Sequence, residues 1–69
     1  MAQIKITLNG EENFIKEDMT ISNLIENLEL DLKKIAIERN LEIVNSQDFA
    51  ITKLKENDVI EIVHFIGGG

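Results

Sequence analysis

The chain contains no cysteine, so no disulfide supports its fold and no thiolate can hold a metal. Proline and tryptophan are absent as well. Positive charge is scarce: 7 Lys and Arg stand against 13 Asp and Glu, a formal net charge of −6. That balance excludes nucleic acid, whose phosphates need clustered lysine and arginine, and it equally excludes an anionic membrane surface. A basic protein partner fits better. No apolar run approaches the roughly 18–20 residues that cross a bilayer. The opening Met1-Ala2-Gln3-Ile4-Lys5 lacks the apolar core of a secretory leader, so the expected compartment is the cytoplasm.

What remains suffices for one small domain. The 69 residues are 43% hydrophobic and 29% charged, a globular composition with one modest core. Neither an internal repeat nor a domain linker is visible.

Ile4, Ile6 and Leu8 alternate with Gln3, Lys5 and Thr7, the period of a half-buried strand. Asn9-Gly10 then gives the strongest short hairpin signal, because both residues tolerate the positive φ of a type I′ turn. The return strand runs from Glu11 to Lys16, with Phe14 as its expected anchor. Next the period changes. Ile21, Leu24, Ile25 and Leu28 fall at i, i+3, i+4 and i+7, one face of a helix ending near Glu29. Thr20 is the expected N-cap, and Met19 and Leu24 occupy the hydrophobic-staple positions. Ile35 to Arg39 is a third strand with Ile35 and Ile37 inward. Asn40-Leu41 is a turn in which leucine must either avoid positive φ or have its strain offset by packing. Glu42-Ile43-Val44 is a short strand, and Ser46 to Phe49 a single helical turn. After the turn at Glu56-Asn57-Asp58, Val59 to Phe65 is the last strand, with Ile60 and Ile62 on one face.

This order of elements predicts an α+β fold of β-grasp topology: a mixed sheet with one main helix packed on one face, the last strand parallel to the first. The expected division is a β-grasp domain over 1–65 and a flexible glycine-rich tail over 66–69.

Chemistry is mostly missing. The single histidine, His64, has no nameable partner at the end of its strand, and Ser22 and Ser46 have no histidine near them in sequence. The acidic residues follow no calcium-loop spacing, and no glycine loop opens a helix to cradle phosphate. No catalytic or metal-binding residue and no bound cofactor are therefore expected. The informative feature is Gly67-Gly68-Gly69. Without Cβ atoms, such a backbone can enter a narrow channel in another protein. It presents an α-carboxylate, ionised at neutral pH and unreactive until its oxygen is made a better leaving group. The alternative is a frayed tail of no function.

The residues Ile4-Lys5-Ile6-Thr7-Leu8-Asn9-Gly10, Thr20 with Leu24-Ile25, and Ile35-Ala36-Ile37-Glu38-Arg39-Asn40 resemble the ThiS sulfur carriers of thiamine biosynthesis, within the ThiS/MoaD group of ubiquitin-like proteins. The most specific stretch is Asn57-Asp58-Val59-Ile60-Glu61-Ile62-Val63 running through His64-Phe65-Ile66 into Gly67-Gly68-Gly69. Asn57 and Leu41 depart from the glycines common in that family.

The resemblance implies a carrier acted on by partners, not an enzyme. A ubiquitin-activating-type (ThiF-like) enzyme would use ATP to adenylate Gly69. Sulfur from a persulfide donor would then leave a thiocarboxylate there, for delivery to a ThiG-like thiazole synthase. Gly67, Gly68 and Gly69 would enter the partners' channel, with Phe65 and Ile66 at its mouth. Val59, Val63 and Phe65 would form the docking strip beside it. The competing readings are a molybdopterin-synthase-type carrier, a carrier for another pathway or protein modifier, and a β-grasp interaction module with an inert tail.

Overall fold

The computed structural model describes residues 2–65. Within them, five strands and one α-helix follow in the order β1 (Gln3–Leu8), β2 (Glu11–Lys16), α1 (Ile21–Asn27), β3 (Ile35–Arg39), β4 (Glu42–Val44) and β5 (Val59–His64). Single 3₁₀ turns lie at Leu32–Lys34 and Ser46–Asp48. The sheet order is β2-β1-β5-β3-β4. β1 and β5 run parallel, and every other pair is antiparallel. This is the mixed β-grasp sheet expected from the sequence. The last strand lies at its centre, one residue shorter than expected because it ends at His64. Among the described residues no helix is long and apolar enough to cross a membrane.

The core sits between α1 and the inner sheet face. Ile6 of β1, Ile37 of β3 and Ile60 of β5 are fully buried beneath Ile21, Leu24 and Ile25 of the helix. Each such side chain contributes about 1.5–3 kcal/mol by leaving water. Phe49 and Leu54, from the β4–β5 connection, close one side.

Asn9 and Gly10 take φ of 49° and 83°, as a two-residue type I′ loop requires. That loop pairs Leu8 with Glu11, Ile6 with Asn13 and Ile4 with Ile15. Ile15 therefore shares the inner face and packs against the core. Phe14 does not anchor β2: it lies opposite Lys5 on the outer face and is 63% exposed.

The helix start is as expected. Thr20 caps it, its hydroxyl accepting from the Asn23 N–H at 3.1 Å while Asn23 Oδ1 accepts from the Thr20 N–H at 3.1 Å. This reciprocal pair satisfies two backbone donors. The end differs. Glu29 adopts a left-handed φ of 58°. The Leu30 N–H then donates to the Ile25 carbonyl at 3.2 Å, and the Glu29 N–H to that of Glu26 at 3.0 Å. These are the two bonds of a Schellman motif. The helix accordingly stops at Asn27, and Leu28, expected in the buried stripe, is 41% exposed. Leu30 packs on the core in its place.

At the β3–β4 turn neither expected escape is taken. Leu41 has φ of 73° and is 87% exposed, so it adopts the strained conformation without packing to offset it.

Candidate functional site

Geometry directs attention to β5, because this central strand leads directly toward residues 66–69. Both of its sides are held. On the β1 side the Thr7 N–H donates to the Asp58 carbonyl and the Asn9 N–H to the Ile60 carbonyl, each at 2.9 Å. β1 stops at Leu8, but the Asn9 side chain prolongs the ladder: its Oδ1 accepts from the Ile62 N–H at 2.8 Å. On the β3 side the register runs from Arg39 opposite Ile60 to Ile35 opposite His64. One residue beyond the strand, the Phe65 N–H still donates to the Lys34 carbonyl at 2.8 Å.

The start of β5 is pinned by a buried carboxylate. Asp58 is 5% exposed and accepts three hydrogen bonds: from Arg39 Nε at 2.9 Å, Asn40 Nδ2 at 3.1 Å and the Lys55 N–H at 2.8 Å. Burial by itself pushes the Asp58 carboxyl up. The Lys55, Arg39 and Asn40 donors and the Arg39 charge together outweigh that, and they hold it below its ordinary range. Asn40 in turn accepts from the Val59 N–H through Oδ1 at 2.9 Å, while its own N–H donates to the Val59 carbonyl at 2.8 Å. Asp58, Asn40 and Asn9 thus set the position and direction of β5. Their partners lie up to 53 residues away, so no local pattern revealed them.

Strand alternation places the predicted strip on the outer sheet face. Ile60 and Ile62 are buried against α1, while Val59, Val63 and Phe65 are 43%, 56% and 60% exposed. Ala36 neighbours Val63 across the β3–β5 ladder, and Thr7 neighbours Val59 on β1. Ile66, Gly67, Gly68 and Gly69, the remaining predicted site residues, lie outside the described residues. His64 is exposed at the sheet's end, opposite Ile35.

The described residues offer little for bond chemistry. Among them, His64, Ser22 and Ser46 make no side-chain hydrogen bond to one another, and no three His, Asp or Glu side chains converge on a metal position. Among the described residues, one surface hollow lies between the end of β2 and α1, lined by Lys16, Asp18, Met19, Asn23 and Asn27. It is not lined by any residue of β5. What the arrangement does is fix the strand up to Phe65 and expose Val59, Val63 and Phe65 on its outer face.

Comparison with known proteins bears on that reading. The model of the ThiS family matches residues 2–69. The chain is 42% identical over 65 residues to the sulfur carrier protein ThiS of Bacillus subtilis (strain 168), covering 93% of this chain and 98% of that one. It is also 44% identical over 66 residues to a thiazole synthase of Paramagnetospirillum magneticum, covering 96% of this chain but 20% of that protein. The chain thus spans about a fifth of the length of the thiazole synthases it matches. In structure it is similar to the crystal structure of the thiamine biosynthesis protein ThiS from Geobacter metallireducens. The TM-score there is 0.82 at 26% identity, over 96% of this chain and all of the other.

Proposed function

The chain belongs to the ThiS family, and on that premise we propose that it is a sulfur carrier for thiamine biosynthesis, acting in the cytoplasm through the carboxylate of Gly69. The observation that carries the proposal is a family match that runs through Gly67, Gly68 and Gly69, three residues beyond a strand anchored at the sheet's centre.

The chemistry follows from what a carboxylate lacks. An adenylating partner transfers AMP from ATP to the Gly69 carboxylate, releasing pyrophosphate and giving a mixed anhydride with a good leaving group. The outer sulfur of a persulfide attacks that carbonyl and expels AMP. A second thiol then attacks the donor-side sulfur of the resulting acyl disulfide, forming a disulfide with the donor and releasing the thiocarboxylate. A thiazole synthase accepts the sulfur while the thiazole ring forms. Support for this acceptor comes from relatives called thiazole synthases that contain a segment like this chain.

In this reading the carrier contributes no catalytic side chain and binds no cofactor; ATP is consumed by the partner. Gly67, Gly68 and Gly69 enter the partner's channel because no Cβ obstructs them. Ile66 sits at the mouth, and Val59, Val63 and Phe65 dock beside it.

Intact-protein mass spectrometry tests the proposal, after incubation with a ThiF-like adenylating enzyme, ATP and a persulfide source. The expected result is a gain equal to exchange of one oxygen for sulfur, abolished by deletion of Gly69. An unchanged mass, with an enzyme shown to activate another ThiS protein, overturns it.

A further inference from the structure

The outer face of the sheet carries a charge arrangement that folding alone disfavours. Glu38 on β3 and Glu61 on β5 stand directly opposite each other in the ladder. Like charges so placed are destabilising. No ion pair among the described residues compensates them. The neighbour of Glu38 on its other side is Ile43 of β4. On the far side of Glu61, β1 has already ended opposite Ile60. Lys5, on the same face, pairs with Glu12 at 3.5 Å, and Arg39 is committed to Asp58. Among the described residues the ion pairs leave Glu38 and Glu61 without a cation.

The surroundings of the pair are apolar. Ala36 and Val63 lie next to it along the two strands, Val59 follows on β5, and Ile43 is 73% exposed. The pair therefore stands within the strip that leads toward residue 66.

We infer that this face docks a protein surface in which an arginine, ringed by apolar side chains, enters between Glu38 and Glu61. Neighbouring strands are about 5 Å apart, so the two carboxylates can converge on one group. A guanidinium suits that position better than an ammonium, because its planar fork of donors can serve two carboxylates at once. The partner is the thiazole synthase, since that activity occurs in relatives whose single chain includes a segment like this one. The inference rests on the sulfur-carrier reading and deepens it by giving the docking surface its chemistry.

The test compares three purified proteins: the wild type, the double variant Glu38→Gln/Glu61→Gln, and a control, Glu17→Gln/Glu26→Gln. The control removes the same charge from exposed sites outside the outer sheet face. Binding to purified thiazole synthase from the same organism is measured by calorimetry at low and high salt, and thermal unfolding is measured on the free proteins. The expected result is that Glu38→Gln/Glu61→Gln loses affinity at least about tenfold with a flatter salt dependence. The free variant is as stable as the wild type or more so, and the control binds normally. Equal binding by the double variant overturns the inference, as does an equal loss in the control, which would reduce the effect to net charge. A double variant that unfolds more readily also overturns it, by making the pair structural. A wild type that gains sulfur on Gly69 yet does not bind the synthase removes this docking partner and leaves the carrier reading standing. Absence of both sulfur gain and binding removes both.

Discussion

Replacing Leu41 by glycine should stabilise this protein. Leu41 has φ of 73°, where its Cβ crowds the following carbonyl at a cost of about 1–2 kcal/mol. Glycine removes that strain. Against this, glycine gives the unfolded chain more freedom, which costs about 0.4–1 kcal/mol. The leucine side chain is 87% exposed, so its removal forfeits little buried surface. The net expectation is a gain of about 0.5–1 kcal/mol. For a domain of this size that raises Tm by about 2–8 °C. Thermal unfolding followed by circular dichroism reads the shift, and urea titration should move the midpoint without changing the slope. Asn57→Gly is the internal control: Asn57 has a similar φ of 71°, but asparagine tolerates it, so the gain there should be smaller. A Leu41→Gly protein with unchanged or lower Tm would refute the reasoning, because it would mean that the left-handed turn carries no strain to relieve.

Two further outcomes follow from the anchors of β5. Asp58→Asn should destabilise by about 2–4 kcal/mol at pH 7, because the part-buried Arg39 loses its counter-charge and one acceptor becomes a donor. The Asp58 carboxyl is held below its ordinary range, so its contribution is complete above the unfolded value of about 3.9 and is lost as pH falls through the folded value. The acid limb of urea midpoints between about pH 5 and pH 2 should therefore be shallower in Asp58→Asn; an identical limb in both proteins would assign acid sensitivity to other groups. Asn9→Gly keeps the positive φ but removes the acceptor for the Ile62 N–H, costing about 1 kcal/mol. Hydrogen exchange at the Ile62 amide should accelerate, and unaltered exchange would show that the Asn9 side chain does not hold the strand.

Wherever one short pattern decided the outcome, the fold was legible in the sequence. Period-two alternation located β1, β3 and β5, and the change of period located α1. The Phe14 expectation failed although the signal was present. A two-residue Asn9-Gly10 loop forces Leu8 opposite Glu11, and counting back from it puts residue 15, not 14, on the inner face. Aromatic size favours Phe14 as the anchor, but register decides. Leu28 failed for a different reason. Its position in the helical stripe was correct, but Glu29 in a left-handed conformation ended the helix before it, a place where glycine would have announced the stop. The Asp58 network could not be read locally, because Arg39 and Asn40 are brought to it only when β3 and β5 pair. The same holds for Glu38 and Glu61, an ordinary pair of charges until the register sets them side by side.

Within the sheet the two hairpins, β1–β2 and β3–β4, never touch; β5 alone joins them. On a ribosome each hairpin can close soon after it emerges, from contacts close in sequence, but the strand that unites them is synthesised after both. A chain broken off before Val59 lacks Ile60 and Ile62 from its core and leaves the facing edges of β1 and β3 open to proteases and to one another's copies. In the sulfur-carrier proposal, the segment offered to a partner follows the element whose docking completes folding. Under the proposed function, the topology itself would proofread the carrier: a partner that takes up the chain beyond a seated β5 would receive only a finished molecule.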